Sequence, residues 1–365
     1  MASPEYEVLV GSFGPDILHF HFDTASGHLT GPLAATAAPQ SSWLVPNRDA
    51  SRLYAVHECG SQGQSSGGYV SHFDIPHETG ALPLVSRAPT LGDHPTYCFL
   101  SPDGQVLGVA NYAADGEGSL SLITLAPDGR LGATQRATTP PYPPRPGTHT
   151  KRQRASHVHC VCLSPDGHWL FEVDLGHDQV RAYPFPPPAD ITLWRAEHVL
   201  ELAPGSGPRH LLFSGDGRIA WLTLELSGQV MALAHHHGEF HPLQTRDLAP
   251  RAFVGERGAG ALHACPDGHF LYVVNRGDDN HLYVFECELS TGLLDQRQRV
   301  PTRGRETREF AIAPGGHHLL LANQADNQIL VMARNPRNGL IGDCIQAIEA
   351  PAPACFVFVA RNGSR

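Results

Sequence analysis

The sequence predicts an all-β chain folded as a seven-bladed β-propeller of four-stranded antiparallel blades, one of them closed by both termini. Three observations carry this. An apolar run, a tight Asp-Gly turn, a second apolar run and a polar pair recur along the chain; another strand-like run follows each copy; and the residues left over at the two ends resemble one more unit cut in two.

The repeat reads TYCFLSPDGQVLGVANY, HCVCLSPDGHWLFEVDL, HLLFSGDGRIAWLTLEL, ALHACPDGHFLYVVNRG and EFAIAPGGHHLLLANQA, with a weaker copy in WLVPNRDASRLYAVHE. Two apolar runs joined by such a turn form a β-hairpin. The turn anchors Asp49, Asp103, Asp166, Asp216, Asp267 and Gly315 are spaced 54, 63, 50, 51 and 48 residues apart. Each polar pair is followed by a third strand, as in GGYVSHFDI, GSLSLITLA, DQVRAYPF, GQVMALA, NHLYVFECE and NQILVMAR, and several units end in a G-x-L element such as ETGALPLV or STGLLD. At the ends, CFVFVA pairs in expectation with YEVLVGSF and ILHFHFDTASGHL, so that the ring closes and leaves no open sheet edge. No linker divides residues 1–365, which are expected to form a single propeller domain. The proline-rich TTPPYPPRPGTHTKRQRAS is expected to be an inter-blade loop reaching over one face.

Composition narrows the function. The formal net charge is −10, and Lys151 is the only lysine, so no basic footprint for nucleic acid is present. The run Lys151, Arg152, Arg154 is expected to be a solvated loop. No apolar stretch reaches the roughly 18 residues of a membrane helix, and MASPEYEVLV lacks the charged and apolar regions of a secretion signal, so a cytoplasmic protein is expected. Eight cysteines without a CxxC pair read as reduced core residues.

The register of the hairpins locates a site. With about 3.3 Å of rise per residue, the residue seven before each anchor and those eight and nine after it reach the same rim, opposite the Asp-Gly turns. The first set is Ser42, Thr96, His159, Arg209, Gly260 and Arg308. The second is His57 and Glu58, Asn111 and Tyr112, Asp174 and Leu175, Leu224 and Glu225, Asn275 and Arg276, Asn323 and Gln324. His159, Arg209, Glu225 and Arg276 together supply an imidazole, a carboxylate and two guanidiniums at one mouth of the channel, enough for anion binding and proton transfer.

RQRASHVHCVCLSPDG with FEVDLGHDQV, GPRHLLF with LELSGQV, and FLYVVNRGDDNHLYVF resemble the lactonase family of seven-bladed propellers, which includes bacterial 6-phosphogluconolactonases and a fungal 3-carboxy-cis,cis-muconate cyclase. The resemblance covers almost the whole chain and implies that His159, Arg209, Glu225 and Arg276 are the catalytic set. His157, Asn275, Arg308, Glu58, Asn111, Asp174 and Gln324 are expected to bind substrate around them. Where the family tends to read PRNF, this chain has Thr307, Arg308, Glu309 and Phe310, which keeps the arginine and sets a carboxylate beside it.

Other signals carry no chemistry. His235, His236, His237 and His241 lack acidic partners at metal spacing and read as an exposed turn. RGDDN does not match a calcium loop, VGERGAGA is not a phosphate loop, and no G-x-S-x-G elbow is present. The expected function is metal-independent hydrolysis of a sugar lactone, 6-phosphogluconolactone first, with no cofactor, a small anionic lactone or carboxylate as substrate, neither nucleic acid nor membrane as partner, and the oligomeric state left open. The alternatives are a cycloisomerase that closes a carboxymuconate, a non-catalytic binding platform and a metal-dependent gluconolactonase.

Overall fold

The computed structural model describes residues 5–60, 67–114, 117–137, 149 and 151–361. They form seven four-stranded antiparallel sheets. Blade 1 joins the termini: Pro353–Arg361 is its innermost strand, followed outward by Glu5–Ser12, Asp16–Asp23 and Leu29–Ala37. Blades 2 to 7 follow in chain order, their innermost strands being Trp43–Pro46, Asp93–Leu100, Val158–Leu163, Pro208–Phe213, Arg257–Ala264 and Thr307–Ile312. Each innermost strand touches that of the next blade, and the last touches that of blade 1. The ring is closed by the pairing that the end fragments predict, from Glu5 opposite Arg361 to Gly11 opposite Cys355.

The repeated turn has a local cause. Ser101 Oγ donates to Asp103 Oδ1 at 2.6 Å and Asp103 Oδ1 accepts from the Gln105 amide at 3.1 Å, while Gly104 takes φ +71°, which costs glycine little. Ser214 with Asp216 and Cys265 with Asp267 repeat the arrangement. These turns tie the innermost strand to the second on one face, so the other strand ends gather on the opposite face.

The core lies between facing sheets. Trp221, Leu271, Tyr283 and Phe285 fill the space between blades 5 and 6, and Tyr272, Leu282, Phe310 and Leu321 that between blades 6 and 7. All eight cysteines are unpaired, five of them buried. Among the described residues no helix is long and apolar enough to cross a membrane. Residues 138–148 and 150 of the proline-rich segment lie outside the described residues. The remainder, from Lys151, connects blades 3 and 4 as an inter-blade loop.

Candidate active site

The side chains that line the mouth are placed by β-bulges. In blade 4, Val158 pairs with Asp174 and Cys160 with Val173, which leaves His159 as an extra residue. The same slip leaves Thr96 extra in blade 3 and Arg308 in blade 7, and falls at Arg209–His210 in blade 5 and Gly260–Ala261 in blade 6. An extra residue in one strand turns its side chain out of the ladder. In this ring that direction is the channel. Thr96 Oγ1 donates to the His159 carbonyl at 3.0 Å and so ties two neighbouring bulges together. In blade 6 the bulge residue is Gly260, where a Cβ would lie 3.2 Å from Arg276 Nε. The missing side chain makes room for that guanidinium.

The polar pairs at the ends of the second strands divide by alternation, because successive residues of a strand point to opposite faces. The first member is turned into its own blade. His57 pairs with the Pro39 carbonyl at 2.7 Å and Ser71 Oγ at 2.8 Å; Asn111 donates to Ser119 and Ser121; Asn275 accepts from the Gly258 amide at 3.0 Å and donates to Asp279. Asp174 accepts from Ser156 Oγ, the amides of His157, Gly176 and His177, and Arg181. The second members Glu58, Tyr112, Glu225 and Arg276 face the mouth instead.

Glu58, Thr96, Tyr112, His159, Glu225, Arg276 and Arg308 line a cavity of about 450 Å³, together with Arg152, Glu256, Arg257 and Glu306. This volume suits one small ligand. Asn111, Asp174 and Asn275, expected to bind substrate, lie outside the cavity lining and form hydrogen bonds within their own blades. His157 is likewise displaced. Its ring stacks on Tyr112 at 4.3 Å, and its Nδ1 pairs with the Tyr112 carbonyl at 2.9 Å. Gln324 starts a short 3-10 turn outside the cavity lining.

Glu225 is the centre of the charged network. Its Oε1 accepts from Arg152 Nη2 at 2.9 Å and lies 3.4 Å from Arg276 Nη2; its Oε2 lies 3.0 Å from Arg209 Nε. Burial alone would push this carboxyl up, but Arg276, Arg152 and Arg209 outweigh it and hold it down at about 2. Arg209 is fully buried beneath the cavity, where burial and Arg276 draw it down to about 9. Burial, reinforced by Arg209, Arg308, Arg276 and Arg152, pulls the His159 imidazole well below its ordinary range. The imidazole is therefore held in its neutral form at pH 7. Its Nδ1 is buried without a hydrogen-bond partner, and the residue lines the cavity. Arg276 Nε is also unpartnered.

Lys151 and Arg154 are exposed, as expected of a solvated loop, but Arg152 turns into the site. It is 38% exposed, but its Nε donates to Tyr112 Oη at 3.0 Å and its guanidinium lies 5.8 Å from the centre of that ring. Strand register could not find it, because it enters from an inter-blade loop. Arg308 pairs with Glu58 at 3.1 Å and covers the Phe13 ring. Glu309, beside it, turns away to accept from His263 at 2.7 Å. His235 pairs with the Gly217 carbonyl while His236 and His237 are exposed. Among the described residues no three His, Cys, Asp or Glu side chains are grouped to hold a metal ion.

Residues 7–358 match the family model described as lactonase, seven-bladed β-propeller. A 6-phosphogluconolactonase of Bacillus subtilis is 28% identical over 347 residues, covering 94% of each chain, and one of Formosa agariphila is 31% identical over 340 residues, covering 91% of this chain and 93% of its own. The solved structure of a periplasmic gluconolactonase of Pseudomonas aeruginosa superposes with a TM-score of 0.92 at 42% identity, covering 98% of this chain and all of the other. With its closed ring of seven blades and a family match over nearly its full length, the chain belongs to the lactonase family of seven-bladed β-propellers.

Proposed function

We propose that this lactonase hydrolyses an unphosphorylated aldonolactone, glucono-δ-lactone in type, at the mouth formed by His159, Glu225 and Arg276. The observation that carries the choice of substrate is charge pairing. Arg152, Arg209 and Arg276 already face Glu225, Arg276 also lies 3.4 Å from Glu306, and Arg308 faces Glu58. Arg257, which also lines the cavity, donates to the Phe253 carbonyl rather than to a carboxylate; at the other arginines a phosphate or a set of carboxylates would have to displace these partners, whereas a neutral sugar ring needs only hydrogen bonds. The reading that placed 6-phosphogluconolactone first therefore becomes the second, and the carboxymuconate reading falls behind both. The gluconolactonase of Pseudomonas aeruginosa supports the same order.

The residues divide the chemistry as follows. Water attacks the lactone carbonyl carbon, and its proton passes to neutral His159 Nε2 as the new C–O bond forms. Glu225, which lines the cavity, orients that water or a sugar hydroxyl. Arg276, which lines the same cavity, steadies the oxyanion. The bond to the ring oxygen then breaks, and the His159 imidazolium returns its proton to that oxygen. Glu225 cannot supply this proton, since a carboxyl held at about 2 carries none at working pH.

The eight unpaired cysteines accord with the cytoplasmic setting expected from the sequence, whereas the Pseudomonas aeruginosa relative is periplasmic. Fractionation of the source cell decides the compartment. The substrate is tested by comparing kcat/KM for glucono-δ-lactone, 6-phosphogluconolactone and a carboxymuconate. At least a tenfold preference for the first supports the proposal, and a preference for either anion overturns it.

A further inference from the structure

We propose that Arg152 is a positioning residue for lactone hydrolysis: reaching in from the loop between blades 3 and 4, it clamps the Glu225 carboxylate against Arg209 and Arg276 and leaves His159 as the proton acceptor. This rests on the assignment of proton transfer to His159 above.

The geometry supports the clamp from both ends. Arg152 Nη2 donates to Glu225 Oε1 at 2.9 Å, shorter than the 3.4 Å separation from Arg276. Its Nε donates to Tyr112 Oη, and the Tyr112 ring is in turn backed by the stacked ring of His157. The loop is fastened where it needs to be: Gln153 Nε2 donates to the Leu175 carbonyl at 3.1 Å, and the Arg152 amide donates to His149 Nδ1 at 3.1 Å. Without Arg152, Oε1 would keep only the longer contact to Arg276, and the carboxylate would be free to rotate and take up a proton.

The charges around the pair come from five elements. Arg209 from the innermost strand of blade 5, Arg276 from the second strand of blade 6 and Arg152 from the loop face Glu225, and Arg308 from blade 7 joins them around His159. Tyr112 from blade 3 meets the His159 ring edge to face at 5.9 Å, and His210 does so at 5.3 Å. Both neighbours are themselves shifted toward their neutral forms by burial. Removing one cation from this set raises the proton affinity of Glu225 and of His159 together. The acid limb of the pH profile therefore moves the same way whichever group sets it.

The experiment compares wild type with Arg152→Gln, Arg152→Lys and Tyr112→Phe. Two readouts are taken: the acid limb of kcat on glucono-δ-lactone, and the protonation midpoint of His159 by NMR of histidine-labelled protein, assigned with a His159→Gln sample. Arg152→Gln is expected to move both midpoints up by roughly one pH unit, the scale for loss of a unit charge several ångströms away at a partly buried site. Arg152→Lys restores most of the shift, and Tyr112→Phe gives a smaller one in the same direction. A uniform loss of kcat at every pH with an unmoved His159 midpoint overturns the proposal. The NMR arm decides it even if the chosen lactone is not turned over, an outcome that counts against the substrate alone.

Discussion

Arg209 Nε and Glu225 Oε2 lie 3.0 Å apart in the buried wall of one blade, yet the N–H does not point at the oxygen and both atoms lack a hydrogen-bond partner. The contact is Coulombic, and it leaves one carboxylate lone pair and one guanidinium N–H uncommitted beneath the cavity. Unmade hydrogen bonds at buried charged atoms are costly.

Removing the carboxylate charge is expected to damage both activity and stability. Glu225→Gln leaves Arg152, Arg209 and Arg276 facing one another without their shared anion, and breaking a buried ion pair from one side typically costs about 3–5 kcal/mol. Denaturant unfolding is expected to show a loss of that order, with kcat lowered by roughly 10²-fold or more. A stable Glu225→Gln enzyme with native kcat contradicts the role of the network.

The pairing of Arg308 with Glu58 makes a separate test of the substrate. Glu58→Gln releases that guanidinium for an anion, and a charge-assisted hydrogen bond is worth about 1.5 kcal/mol or more, about tenfold in affinity. The KM for 6-phosphogluconolactone is expected to fall by roughly 3- to 10-fold while that for glucono-δ-lactone stays nearly constant. Equal changes for the two lactones in steady-state kinetics would show that Glu58 does not discriminate against phosphate.

Asn275 separates a blade clip from a binding group. Asn275→Ala removes the acceptor of the Gly258 amide and the donor to Asp279, so stability is expected to fall by about 1–3 kcal/mol. KM is expected to stay within about threefold of wild type. A large rise in KM with unchanged stability would return Asn275 to the substrate.

Much of the fold was legible because propeller blades repeat both turn and spacing, and the closure of CFVFVA on YEVLVGSF follows from counting the leftover strands. The rim was legible from the same register. What it could not resolve was which member of each polar pair faces the channel: a uniform rise brings Asn275 and Arg276 to the same height, and only the alternation within the paired strand turns one into the blade and the other into the cavity. The bulges at Thr96, His159 and Arg308 were also out of reach, since nothing in those residue types marks an extra position. Arg152 belongs to no strand, and its basic neighbours made it look like a solvated loop.

Stability is expected to fall on acidification well above the range in which Glu225 titrates. His57 donates from one ring nitrogen to the Pro39 carbonyl and accepts at the other from Ser71, and burial holds its imidazole down at about 4. Between about 6.5 and 4 the unfolded chain binds a proton that the folded chain does not, so stability drops as pH falls, by up to about 1.4 kcal/mol per pH unit for this group. Denaturant unfolding at pH 7, 6 and 5 is expected to show the drop, and His57→Gln to make it shallower. An unchanged slope in the variant would contradict the assignment.

The central claim, that His159 moves the proton in lactone hydrolysis at this mouth, is tested most directly by saturating steady-state turnover of glucono-δ-lactone by wild type and His159→Gln, with folding of both checked by circular dichroism. Loss of a general acid–base group typically lowers the rate by about 10² to 10⁴-fold. A fall of that size in kcat with native folding is the predicted result, and a folded His159→Gln enzyme turning over at near wild-type kcat would contradict it.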